Sequence, residues 1–238
     1  MPFLCFSICL LWLFFPPGLY CSINQTKGKI NKKCRFFDSV ILSPFFVYTY
    51  TTKGGIYMNK KLKRWSLAGF FVVVLLGTLG HFLYDLTGGN SIVGKFFAVN
   101  ESTWEHLKLL FFPYVLFWVV EWFCIGKNHK NFAFAGLVGV LTGLVFIVAA
   151  FYTYTGVLGK NVDFLNIAIF ALGTAVAFWT EYKILTGKSN ITFKIPSLII
   201  IIVVAFLFAF FTTNTPRIGL FKDPVTGEFG VSSKELNN

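Results

Sequence analysis

The sequence predicts an all-α fold, an integral membrane bundle of about five transmembrane helices. Three observations carry that expectation. Hydrophobic residues make up 55% of the 238-residue chain and charged residues only 13%, against about 25% charged in a typical soluble domain. Several apolar runs reach the roughly 20 residues that a spanning helix needs. The basic residues sit in short connections between those runs, as they do in cytoplasmic loops. That pattern also sets aside the nucleic-acid partner that a net charge of +11 invites, because the lysines do not gather on one soluble face. The expected partner is the lipid bilayer.

Residues 1–57 differ from the rest. They are rich in Phe, Cys and Pro, hold four of the five cysteines, and show no helical plan. The apolar run Phe3 to Phe15 is short and lacks a basic leader and a small-residue cleavage site, so it is a poor signal peptide. Met58-Asn59-Lys60-Lys61-Leu62-Lys63-Arg64, followed by Trp65, reads as an ordinary start for a bacterial membrane protein. Codons for Lys53-Gly54-Gly55 can spell a ribosome-binding sequence a few nucleotides before Met58. Residues 1–57 are therefore expected to be an upstream leader or a disordered extension, 58–213 the transmembrane domain, and 214–238 an extracytoplasmic tail. Beyond Met58 only Cys124 remains, too few for an internal disulfide or a thiolate metal site.

The expected spans run from about Trp65 to Tyr84, Leu107 to Cys124, Phe132 to Tyr152, Phe164 to Tyr182 and Ile195 to Thr212. Lys60, Lys61, Lys63 and Arg64 precede the first. Lys127 and Lys130 separate the second and third, and Lys183, Lys188 and Lys194 the fourth and fifth. This asymmetry predicts a cytoplasmic N-terminus and an outer C-terminus in an inner cell membrane. Gly69, Gly77 and Gly80 in the first span, and Gly136, Gly139 and Gly143 in the third, suit close helix packing in lipid.

Polar residues concentrate at the expected outer face. His81 and Asp85 lie four apart on one helix face. His81 is about 24 Å along the helix from Trp65, still inside a hydrocarbon core about 30 Å thick, where a polar side chain signals function. The second span opens with Asn100-Glu101-Ser102-Thr103-Trp104-Glu105-His106-Leu107-Lys108. Ser102 and Glu105 have capping-box spacing, Asn100 is a second candidate cap, and Trp104 suits a membrane boundary. Two histidines with nearby carboxylates match the donors of a divalent metal such as Zn²⁺. The expected ligands are His81, His106 and Glu105, with Asp85 orienting His81 from behind. Glu101 and Glu105 are the candidate catalytic carboxylates. A metal-free acid–base site and purely structural polarity are the rival readings.

Glu121 and Glu181 lie toward the other face. They are expected either to pair with Lys127 or Lys183 or to mark a proton or cation path. Pro113 should free the carbonyl of Leu109. In the tail, Asp223-Pro224 followed by Gly227 has turn chemistry, and Leu220 and Phe221 offer a way to fold it over the outer cluster, bringing Asp223 with it.

The motifs N-E-S-T-W-E-H-L-K and L-F-K-D-P-V-T-G resemble those of an uncharacterised Firmicutes-type family of multi-pass membrane proteins of unknown function. The resemblance covers about Met58 to Val231. It implies a bacterial cell-membrane location and a short basic segment before the first span, but no activity. Three function classes remain. A closed pocket at the outer face favours an enzyme or receptor, a continuous polar path a small-solute or ion transporter, and no pocket a structural or partner-binding subunit.

Overall fold

The computed structural model describes residues 20–26, 29–35, 60–187 and 192–230. The chain divides into two compact units at Tyr57/Met58. In the first, strands β1 (Tyr20–Thr26) and β2 (Lys29–Arg35) form an antiparallel ladder that pairs Tyr20 with Arg35 and Thr26 with Lys29. The rest of that segment, expected to lack regular structure, lies outside the described residues.

Among the described residues, the second unit holds five helices long and apolar enough to cross a membrane. They are α1 (Lys60–Leu86), α3 (Thr103–Cys124), α4 (Phe132–Leu158), α5 (Asp163–Thr186) and α6 (Lys194–Thr213). The short α2 (Ser91–Gly94) lies between the first two, started by Asn90, whose Oδ1 accepts from Ile92 N at 2.9 Å and Val93 N at 3.3 Å.

The longest disagreement with expectation is the end of α4, which continues past Tyr152 to Leu158. Its polar residues do not break the helix because they bond back to it. Thr153 Oγ1 donates to Ala149 O and Thr155 Oγ1 to Phe151 O, so neither hydroxyl competes for a new backbone path. Gly159, at φ +67°, ends it in the left-handed conformation that glycine adopts cheaply.

Helix contacts follow the small residues. A methyl group at Gly77 would lie 2.6 Å from the carbonyl oxygen of Leu109, the group that Pro113 leaves without its helical donor. The proline thus exposes a carbonyl, and the glycine lets α1 come up against it. One at Gly139 would meet Tyr114 Oη at 2.6 Å, and one at Gly143 would meet Gly173 O at 2.9 Å. The core between α1, α3, α4 and α5 is filled by Val73, Leu110, Phe111, Tyr114, Val140, Ala177 and Phe178, all buried.

The tail folds back as its turn chemistry suggests. Asp223 is buried and accepts from Val225 N at 2.6 Å and Thr226 N at 3.2 Å. Phe221 is buried, its ring 4.7 Å from that of Trp104. Asn100 Nδ2 donates to Gly230 O at 2.9 Å, so the tail is strapped to the start of α3.

Candidate metal centre

Helix lengths place the site. α1 runs five residues beyond His81 before it ends at Leu86, and α3 begins at Thr103, so His106 lies in its first turn. Ser102 is the N-cap, its Oγ accepting from Glu105 N at 3.4 Å. The capping box is only half made. Asn100 Oδ1 accepts from Ser102 N at 3.0 Å, and Glu105 Oε2 accepts from Val99 N at 3.1 Å. Asn100 has taken the bond that Glu105 was expected to make.

His81 and His106 come together, with their Nε2 atoms 3.2 Å apart. Glu101 bridges them, Oε1 lying 3.5 Å from His81 Nε2 and Oε2 3.4 Å from His106 Nε2. Two ligands about 2.1 Å from one zinc at tetrahedral angles lie about 3.4 Å apart. The His81–His106 separation therefore suits two ligands of one ion, and the Glu101 carboxylate lies across the pair with one oxygen at a similar distance from each imidazole. His106 Nδ1 is 3.0 Å from Ser102 O. A carbonyl only accepts, so Nδ1 carries the proton and Nε2 presents its lone pair to the cluster. Metal-binding histidines are commonly oriented in this way. In the absence of a metal the same atoms form a hydrogen-bonded imidazole pair capped by a carboxylate.

The site is partly open. The side chains of His81, His106 and Glu101 are 31%, 29% and 46% exposed, so solvent reaches the cluster. The hydrogen bond from His81 holds the Glu101 carboxyl below its usual range against the opposing effect of burial. Glu101 is thus an anion in the cluster.

The expected roles fare differently. Glu105 is not among the converging groups. It is buried against Lys108, with Oε2 2.5 Å from Nζ, because Lys108 lies one turn further along the same face. Lys108 Nζ also donates to Gly94 O at 2.8 Å, Phe97 O at 3.3 Å and Thr212 Oγ1 at 2.7 Å. This ion pair pins the α2 loop and α6 to α3. Glu101, expected as a base, is instead the carboxylate that meets both imidazoles. Asp85 is exposed and acts on His81 only through its charge. Trp104 is an internal clamp rather than a boundary anchor, its ring 4.6 Å from Phe208 and 4.7 Å from Phe221.

Glu121 and Glu181 are each 1% exposed. Neither pairs with the expected lysines, which lie over aromatic rings: Lys127 Nζ is 5.2 Å from the Phe123 centroid and Lys183 Nζ 5.6 Å from that of Trp179. Glu181 Oε2 instead accepts from Tyr114 Oη at 2.6 Å, and Glu121 is close enough to act on both by its charge. Tyr114 was missed at first reading. Its spacing of seven from Glu121 puts the two on one helical face, the signal that would have found it.

A family of unknown function (DUF6512) matches residues 55–231. The chain belongs to this family. The DUF6512 match takes in His81, Glu101 and His106, the Glu121–Glu181 pair, and the tail as far as its bond with Asn100. No curated protein and no solved structure shows a significant match to the chain.

Proposed function

We propose that this DUF6512 protein is a bacterial inner-membrane metalloenzyme whose His81, Glu101 and His106 hold one divalent cation such as Zn²⁺ at the outer face. The observation that carries the reading is the convergence of two imidazole nitrogens 3.2 Å apart with a carboxylate that sets one oxygen 3.4–3.5 Å from each, ligand atoms of all three residues lying within 4.8 Å of one another. The basic connections at the far end of the bundle support an outer location. A metal held by three protein ligands with an open fourth position lowers the pKa of bound water and makes it a nucleophile near neutral pH. The reaction class is hydrolysis of a lipid or other envelope substrate. An apolar groove of about 520 Å³ supports a substrate with acyl chains. Leu79, Gly80, Leu83, Phe97 and Phe112 line it, and it reaches the residue before His81.

The test is metal content. Protein purified without chelator and reloaded with zinc should hold about one ion per chain by elemental analysis, and His81→Ala or His106→Ala should release it. Glu105→Ala is the wrong control because it unpairs Lys108. Glu101→Gln is the informative variant, and its affinity should fall by about 10- to 100-fold or more. Zinc retained in all three variants would end the proposal.

A second reading rests on the other acidic pair. Two buried carboxylates whose Glu121 Oε2 and Glu181 Oε1 have no hydrogen-bond partner are costly inside a membrane unless they serve a cation or proton. This favours transport of a small ion. Uptake into proteoliposomes that is lost in Glu181→Gln and kept in His81→Ala would select it over the enzyme.

A further inference from the structure

The opposite end of α3 carries a second site of different chemistry. A cavity of about 230 Å³ lies where α3 ends and α4 and α6 begin, lined by Lys127, His129, Lys130 and Lys194 over a floor that includes Trp122 and Phe132. None of the residues lining it is acidic. The Trp122 ring gathers two of the cations, with Lys127 Nζ 5.7 Å and Lys194 Nζ 5.9 Å from its centroid. Cation–π contact offsets part of the repulsion between the ammonium groups, but it supplies no counter-charge. Burial lowers the pKa of His129, so at neutral pH it adds a hydrogen-bond donor rather than another positive charge.

The backbone reinforces the lysines. Phe132 and Ala133, the first two residues of the 27-residue helix α4, form part of the wall. Asn131, in the capping position, makes no side-chain cap, because its Nδ2 donates across to Ile184 O at 2.9 Å. Phe132 N donates to His129 O at 3.2 Å, and the rest of the positive end of this long helix meets the cavity without a side-chain acceptor from its capping residue. Lysine ammonium groups and a helix N-terminus together are donors for phosphate. The cavity lies at the end of three spanning helices and is lined by an indole, a side chain enriched where lipid headgroups meet water.

We propose that this cavity binds a phosphate anion at the lipid–water boundary, of the kind carried by an anionic lipid headgroup or by free phosphate. The site is independent of the metal centre, which lies at the other end of α3.

The experiment uses the full chain in mild detergent, with native mass spectrometry counting bound dioleoyl phosphatidylglycerol and dioleoyl phosphatidylcholine. Phosphatidylglycerol should be retained in preference, at about one tightly held molecule per chain. Lys127→Gln/Lys194→Gln should weaken that retention by about 25-fold, since each lysine facing an anionic headgroup contributes roughly fivefold. Lys127→Arg/Lys194→Arg should keep it, and zinc content should be unchanged in both, which separates loss of the site from loss of the fold. Lys183→Gln removes a cation that does not line the cavity and should have little effect. Millimolar inorganic phosphate that binds alone and displaces the lipid assigns the site to free phosphate. Lipid that resists displacement assigns it to the headgroup. An equal loss in Lys183→Gln, or no preference for either anion over phosphatidylcholine, would overturn the proposal, because diffuse surface charge would then suffice.

Discussion

Glu105 and Glu181 are both buried carboxylates on spanning helices, 2% and 1% exposed, yet the bundle surrounds them differently. Glu105 faces Lys108, whose remaining donor capacity goes to two loop carbonyls and Thr212. Glu181 faces a tyrosine hydroxyl and the field of another glutamate, with no ion pair among the described residues. The first arrangement is a closed electrostatic unit that joins three segments of chain. The second has no counter-charge and rests on one hydrogen bond. A buried acid near a polar cluster is therefore not automatically part of the chemistry, since its partner decides whether it serves as a fastener or remains available to a ligand.

The sharpest way to break this comparison is to unpair Glu105. Glu105→Gln leaves Lys108 as a buried, uncompensated cation and should lower stability by about 3–5 kcal/mol, with Lys108→Met doing similar damage. Glu105→Gln/Lys108→Met should recover most of the loss. Reversible unfolding in mixed detergent micelles reads all three, and simple additivity of the single variants would contradict a coupled pair. Tyr114→Phe should cost less, about 1–3 kcal/mol, because it takes the donor from a buried acceptor without leaving a cation behind. Glu181→Gln in the same assay should cost less than the equivalent change at Glu105, since it orphans no opposite charge. A Glu181→Gln penalty as large as that of Glu105→Gln would mean that a cation serves Glu181 after all. The smallest effect belongs to the strap. Asn100→Ala removes the half-exposed bonds to Gly230 O and from Ser102 N and should cost about 0.5–1.5 kcal/mol, visible as faster proteolysis of the tail.

The five spans were legible because bilayer thickness imposes a length that hydropathy reports directly. α3, for example, ends at Cys124 as expected and begins four residues before its expected Leu107. Much of the candidate site was legible for a related reason. His81 and His106 sit at the facing ends of consecutive spans, and a short connection brings such ends together. What could not be read was which carboxylate joins them. Glu101 and Glu105 are four apart and share a face on an ideal helix, but α3 begins only at Thr103, so Glu101 lies on non-helical backbone and the helical rule does not apply to it. Lys108, three residues after Glu105, was the available clue that Glu105 already had a partner. The approach of Glu181 to Tyr114 and Glu121 was equally hidden, because it depends on how α5 packs against α3 rather than on any local pattern.

Ser102 links folding to ligation in a way that can be timed. Its hydroxyl caps α3, while its carbonyl accepts both from His106 N at 3.2 Å, the helix's opening hydrogen bond, and from His106 Nδ1 at 3.0 Å. One oxygen therefore sets the helical register and the imidazole tautomer together. If the first turn of α3 frays, His106 loses its orientation in the same event. Conversely, a cation that fixes His106 must slow that fraying, by the factor with which it prefers the wound turn. Amide exchange at Glu105 and His106 would then act as a local clock, slowing on zinc addition while the amides at the far end of α3 keep their original pace.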